Sequence, residues 1–201
     1  MSVLEAVLAE AKAKPEGAVL SARTLSHLGN RATVDQALSR LARKGQLIRA
    51  ARGLYVLPVE GRFGVRPPSP VKVAEQLEVV TGEPVLPGGG AEANRLGLTT
   101  QVPVREVFVT PGRSRILKLG SRDLEVQHAP RWQTALPRTE AGAAVRALAW
   151  LGKKEAPRAA AHLRAALPEV EWKALSLLRA RLPSWMAATI GAELRRSEIA
   201  G

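Results

Sequence analysis

Residues 18–58 read AVLSARTLSHLGNRATVDQALSRLARKGQLIRAARGLYVLP, and the change of period along this stretch sets the expected fold. A short helix fits Ser21 to Leu28 and is ended by Gly29-Asn30. A longer one starts at Thr33 and runs to Gly45. Thr33-Val34-Asp35-Gln36 fits the box in which two side chains satisfy helix-start amides reciprocally. Two β-prone runs follow, Gln46–Arg49 and Leu54–Leu57, separated by Ala50-Ala51-Arg52-Gly53, a spacing that suits a hairpin with glycine in its turn. Upstream, Ser2-Val3-Leu4-Glu5 is another capping box, and Val3, Val7, Leu8 and Ala11 recur at helical spacing until Pro15-Glu16-Gly17. Three helices followed by a basic hairpin is the order of a winged helix-turn-helix, assigned to residues 1–62.

Charge points the same way. The 201-residue chain carries 30 Lys and Arg against 18 Asp and Glu, a net +12. Arginines outnumber lysines 22 to 8, and the planar arginine fork suits phosphate and guanine contacts. From Ala18 to Val56 seven bases stand against one acid, Asp35; residues 63–137 hold nine bases and seven acids, and residues 138–201 eleven and six. Such a balance points to a polyanionic partner. On the longer helix Val34, Ala37, Leu38 and Leu41 share one arc of about 100°. Thr33, Ser39, Arg40, Arg43 and Lys44 take the remaining face, while Gln36 either turns back into the cap or faces outward. Arginine forks onto guanine O6 and N7 in a major groove, and Ser and Thr adapt to several base edges. Arg49 and Arg52 on the hairpin suit phosphates or the adjacent minor groove. With Arg31 at the helix start, these nine residues are the expected DNA-binding set. The plainer alternatives are a solvated basic helix and a winged helix used for protein contacts.

The rest of the chain reads as an α+β domain over residues 63–201. Residues 59–70, VEGRFGVRPPSP, hold three prolines and two glycines without periodicity and read as a linker. A helix is expected over Pro70–Thr81, a loop over Glu83–Gly90 and a short helix near Ala91–Leu96. Strands are expected at Val104–Thr110, Arg115–Leu119 and Asp123–His128, whose β-branched, alternating character suits a small antiparallel sheet. From Pro137 the chain is Ala-, Leu- and Arg-rich, a helical tail (from about residue 138) broken at Pro157, Pro168 and Pro183. No cysteine is present, which excludes disulfides and thiol chemistry, and His27, His128 and His162 lack metal-ligand spacing. No apolar run approaches the ~20 residues of a membrane span, and the N-terminus carries acids among its apolar residues, unlike a signal peptide. The expectation is a cytoplasmic protein, without cofactor or metal and with no membrane partner.

Two stretches resemble a known family. LSARTLSHLGNRATVDQALSRLARKGQLIRAARGLYVLP resembles the winged-helix start of AbiEi-type antitoxins, the antitoxin half of abortive-infection, type IV toxin–antitoxin systems, with Arg52-Gly53-Leu54-Tyr55 matching the wing strand. PGGGAEANRLGLTTQVPVREVFVTPGRSRILKLGSRDLEVQHAPR is similar to that family's middle domain, its signature standing at Leu96–Pro103 and its strand–Gly–Arg-Ser-Arg–strand unit at Val107–Leu119. The resemblance covers residues 18–153. It implies a phage-defence antitoxin that represses its own operon, binding an inverted repeat in its own promoter, and that counteracts a nucleotidyltransferase-like toxin. The alternative is a winged-helix transcriptional regulator without antitoxin activity.

Other motifs carry less. Gly88-Gly89-Gly90 lacks the Gly-Lys-Ser/Thr of a P-loop and reads as a flexible loop. Leu98-Thr99-Thr100-Gln101-Val102-Pro103 reads as a buried polar turn. Arg113 and Arg115 flank Ser114 in an expected hairpin turn, a second phosphate or partner contact or else a solvated turn. Asp123 and Glu125 share a strand face and could hold Mg²⁺ in a DNA-processing enzyme. No lysine follows them to activate water, and no Gly-x-Ser-x-Gly elbow exists, so no enzyme is expected. In the tail Trp172, Leu175, Leu178 and Leu182, and then Met186, Ile190 and Leu194, make helical stripes that read as core. Four tryptophans (Trp132, Trp150, Trp172, Trp185) among seven aromatics leave room for one exposed anchor at a partner surface.

Overall fold

The computed structural model describes residues 2–62 and 64–200, the last four of these by backbone alone. It is an α+β protein with small antiparallel sheets. Among the described residues no helix is long and apolar enough to cross a membrane. The chain forms two compact units, Met1–Val85 with Ser114–Val126 and Leu86–Arg113 with Gln127–Gly201. The expected boundary at 62/63 thus falls inside the first unit.

The first unit opens with α1 (Val3–Ala13), capped as read: Ser2 Oγ accepts the Glu5 amide at 3.3 Å and Glu5 Oε2 accepts the Ser2 amide at 2.8 Å. β1 (Val19–Leu20) follows; two residues are too few to show a period in the sequence. The helix expected over Ser21–Leu28 is replaced by turns and one 3-10 turn, Ser26–Leu28. Thr24 Oγ1 accepts the Ser21 amide at 3.0 Å and Ser21 Oγ accepts the Thr24 amide at 3.2 Å, local bonds that compete with an α-helical ladder.

α2 (Arg31–Arg43) starts earlier than read, because Asn30 and not Thr33 is its cap. Asn30 Oδ1 accepts both the Thr33 amide and the Thr33 hydroxyl at 2.9 Å, and asparagine is the stronger capping residue. β2 (Ile48–Ala51) and β3 (Leu54–Val56) form the hairpin, turning at Arg52-Gly53 with Gly53 at φ 71°. β2 begins later than expected. Gln46 and Leu47 instead close the end of α2, their amides reaching the Leu41 carbonyl at 3.0 and 3.3 Å, and Leu47 enters the core. β1 pairs antiparallel with β3, Val19 opposite Val56, so the sheet order is β1-β3-β2. Val7, Leu20, Leu25, Val34, Leu38, Leu41, Leu47 and Tyr55 make one core beneath it.

Residues 59–70 are not a linker. β4 (Val59–Gly61) and β5 (Gly64–Arg66) pair antiparallel, Val59 opposite Arg66, and α3 (Pro70–Thr81) follows with the span expected. Glu16 fastens this segment to the α1–β1 loop: it accepts Lys72 Nζ at 2.7 Å, the Ser69 amide at 3.1 Å and Arg66 Nη1 at 3.2 Å. Those bonds, Lys72's foremost, hold its carboxyl down at about 2. Gly17 makes the approach possible: at φ +88°, its Cβ would stand 2.5 Å from the Lys72 backbone.

The chain next enters the second unit as β6 (Leu86–Pro87), α4 (Gly89–Arg95) and β7 (Val107–Thr110), with β6 antiparallel to β7. It returns to the first as β8 (Arg115–Leu119) and β9 (Arg122–His128), a hairpin registering Leu117 opposite Leu124, with β8 beside β2. β7 starts later than the expected Val104, because residues 101–106 are exposed and have no face to bury. Gly88-Gly89-Gly90 is neither loop nor phosphate cradle. Gly88 caps α4, and a Cβ on Gly89 would collide with the Arg146 carbonyl and stand 2.5 Å from Trp150 Cβ. Glycine lets two helices touch there.

α5 (Glu140–Ala166), α6 (Glu169–Leu178) and α7 (Ser184–Ala200) complete the second unit. The expected break at Pro157 lies instead at Gly152, whose φ of 77° and ψ of 173° leave the helical region. Trp172, Leu175, Leu178, Leu182, Met186 and Ile190 are core, as their spacing indicates, with Leu194 packed against them. An ion network, buried at Arg146 and Glu92 and half-exposed at Arg95 and Glu140, joins α4 to α5: Arg146, 2% exposed, meets Glu92 Oε1 at 2.7 Å, Arg95 Nε meets Glu92 Oε2 at 2.9 Å, and Arg95 forks onto Glu140 with two bonds of 2.9 Å. Glu140 first and Glu92 second make Arg95 hold its proton more firmly than a free guanidinium.

Candidate nucleic-acid interface

α2 presents two chemically different faces. Val34, Ala37, Leu38 and Leu41 are buried, fixing the helix by roughly 1.5–3 kcal/mol for each large side chain. Turning 100° per residue puts Thr33, Gln36, Arg40 and Arg43 within an arc of about 80° on the other side. All four are exposed, and Ser39 flanks them half-buried. Because Asn30 takes the cap, Gln36 is released from the backbone role allowed for it and faces outward. Lys44 is the C-cap that follows the helix, and the run Arg40, Arg43, Lys44 also meets the negative end of the helix dipole.

Arg40, Arg43 and Lys44 make no ion pair among the described residues, and neither do Arg49 and Arg52. Arg49 leaves β2 exposed opposite buried Tyr55, at a register irregularity between Arg49 and Ala51, and Arg52 stands exposed at the hairpin turn. Unpaired, hydrated arginines that cost the fold nothing to reorient are suited to phosphates and to guanine edges. Arg31 stands apart from this group. It lies on the other flank of α2, one turn before Asp35, with Nε 3.9 Å from its carboxylate. Arg23, exposed in the turn before α2, is a base that sequence reasoning left out; its signal was only the local charge count.

The other expected sites separate. Arg113 is exposed in the second unit and Arg115 half-buried on β8 opposite Val126 in the first, and both have bonding partners. Asp123 and Glu125 do share the outward face of β9, but across from them stand Lys118 and Ile116. Among the described residues no group of three His, Cys, Asp or Glu could hold a metal ion. The Leu98–Pro103 turn is polar but not buried: only Leu98 is inside, and Asn94 Nδ2 donates to the Thr99 and Gln101 carbonyls at 3.3 and 3.1 Å. Its hydrogen bonds are local, so it needs no burial.

A family model described as a family of unknown function (DUF6088) matches residues 6–171. No curated protein and no solved structure matches the chain.

Proposed function

The chain belongs to that family of unknown function, DUF6088; we propose, on its own residues and geometry, that it is a sequence-specific DNA-binding repressor of winged-helix type, acting as the antitoxin of its own operon. The observation that carries the DNA half is the pairing of β1 with β3. It makes the order α1, β1, 3-10 turn, α2, β2, β3 with sheet β1-β3-β2, which leaves the outer face of α2 and the β2–β3 turn as the exposed basic edge. α2 is then the recognition helix, with Arg40, Gln36 and Thr33 toward base edges and Arg49 and Arg52 toward phosphates. The antitoxin half rests on the resemblance over residues 18–153, and the toxin it implies is a nucleotidyltransferase.

The DNA upstream of the chain's own gene tests the first half. Footprinting is expected to protect an inverted repeat with half-sites near whole helical turns apart. No protection there, or one isolated half-site, overturns self-repression. Co-expression with an adjacent nucleotidyltransferase reading frame tests the second half, with rescue of growth expected. Protection without rescue leaves a regulator that is no antitoxin.

A further inference from the structure

We propose that the second unit carries a binding surface for single-stranded nucleic acid, built where α5 breaks at Gly152. Trp150 is its stacking platform and Lys153, Lys154 and Arg158 are its phosphate contacts. This inference stands apart from duplex reading by α2.

Trp150 is 48% exposed, the one aromatic among the exposed large hydrophobic side chains of the described residues. An indole that only fills a core is buried, as Trp172 is. Yet Trp150 is not loose. α4 is built to receive it: a Cβ on Gly90 would stand 3.2 Å from its Cε2 and Nε1, so glycine lets the backbone of α4 come close to one part of the ring while the rest meets solvent. A ring held on one side and open on the other is ready to stack without a further ordering cost.

The cations follow at once. Lys153 and Lys154 are exposed and make no ion pair among the described residues. Arg158, 81% exposed, approaches Glu155 only at 3.6 Å, and Glu155 is the single acid between Ala141 and Pro168. Lys154, Arg158 and exposed His162 recur every fourth residue, with about 6 Å of helical rise from one to the next. The second unit holds fifteen Lys and Arg against eight Asp and Glu, so more of the chain's +12 resides there than in the unit that contains α2. None of the nine residues expected to bind DNA lies in the second unit.

The chemistry favours single strands. Bases in a duplex hide their faces in the stack, whereas an unpaired base of any identity offers a face to an indole and its phosphate to a nearby cation. Tryptophan beside basic side chains also suits an acidic protein surface, and the test separates the two.

Full-length protein is titrated with a labelled oligothymidylate, with the same length of duplex and with polyglutamate of equal charge. Oligothymidylate is expected to bind. Trp150→Leu should weaken it about tenfold and Trp150→Phe much less, because a phenyl ring still stacks. Lys153→Gln with Lys154→Gln and Arg158→Gln should flatten the salt dependence by about two units of slope, at unchanged melting temperature. Arg40→Ala should leave this binding unchanged. No binding of oligothymidylate overturns the proposal, as does binding indifferent to Trp150→Leu and to the triple variant. Polyglutamate bound as tightly, with the same dependence on Trp150, also overturns it and makes the surface a protein dock.

Discussion

Arg40 and Arg146 are the same side chain in opposite settings. Arg40 projects from α2 into solvent without an ion pair among the described residues, on a face whose neighbours Thr33, Gln36 and Arg43 are exposed as well. Arg146 is buried inside α5, its charge met by Glu92 at 2.7 Å, with Arg95 and Glu140 extending the network outward. A charge taken out of water must be matched by its own protein, and once matched it has nothing left to offer a ligand. A charge left in water stabilises little and remains available. The basic excess is therefore divided between arginines paired inside the fold and arginines left in water, and only burial and pairing tell them apart.

Breaking the buried side should give the largest effect. Glu92→Gln leaves Arg146 charged and poorly compensated, and urea unfolding is expected to show a loss of about 3–5 kcal/mol. A loss near zero would place Glu92 with the surface pairs instead. On the exposed side the balance reverses. Arg40→Ala should cost about 1–3 kcal/mol on the cognate duplex and little on a scrambled one, with folding stability within about 0.5 kcal/mol of the parent. Equal affinities for both sequences would remove α2 from the reading of bases.

Glu16 lies between these extremes, an acid shielded on one side and bonded to two half-exposed cations, Arg66 and Lys72. Its carboxyl is depressed from 4.5 to about 2 in the folded chain, so its stabilisation is complete above pH 4.5 and disappears as pH falls through about 2. Glu16→Gln should lower stability by about 1–2 kcal/mol at pH 7, after discounting for the exposure of both partners, and make no difference at the acid end. A deficit that persists at low pH would mean packing, not charge. The smallest effects belong to the hairpin. Arg49→Ala or Arg52→Ala should weaken all duplexes alike and lower the salt slope by about one each, measured by titration at several salt concentrations.

The helices and strands with a face to bury were legible in advance. Val34, Ala37, Leu38 and Leu41 announce the inner side of α2, Leu117, Leu119, Leu124 and Val126 announce β8 and β9, and the stripe from Trp172 to Ile190 announces the core of the second unit. Periodicity is the imprint of one-sided burial, so it survives in sequence. The outward face of α2 was legible for the same reason, as what remained. Where several residue types suit one local role, sequence reasoning chose wrongly: Thr33 where Asn30 is the cap, a helix where hydroxyl-bonded turns stand at Ser21–Leu28, and Pro157 where α5 breaks at Gly152.

By itself, then, the sequence determined the α+β class, the basic balance, the apolar faces and most element positions, because propensity and period act within a few turns of chain. Only the tertiary structure decided which elements belong together. Val59–Gly61 and Gly64–Arg66 became paired strands, and Glu16 tied this segment and α3 to the α1–β1 loop. β8 came back beside β2 from far along the chain, and two adjacent glycines, Gly89 and Gly90, became the seat of Trp150. It alone decided which arginines are spent on carboxylates and which face water. Each of these depends on groups distant in sequence meeting at a few ångströms, and neither composition nor spacing carries that distance.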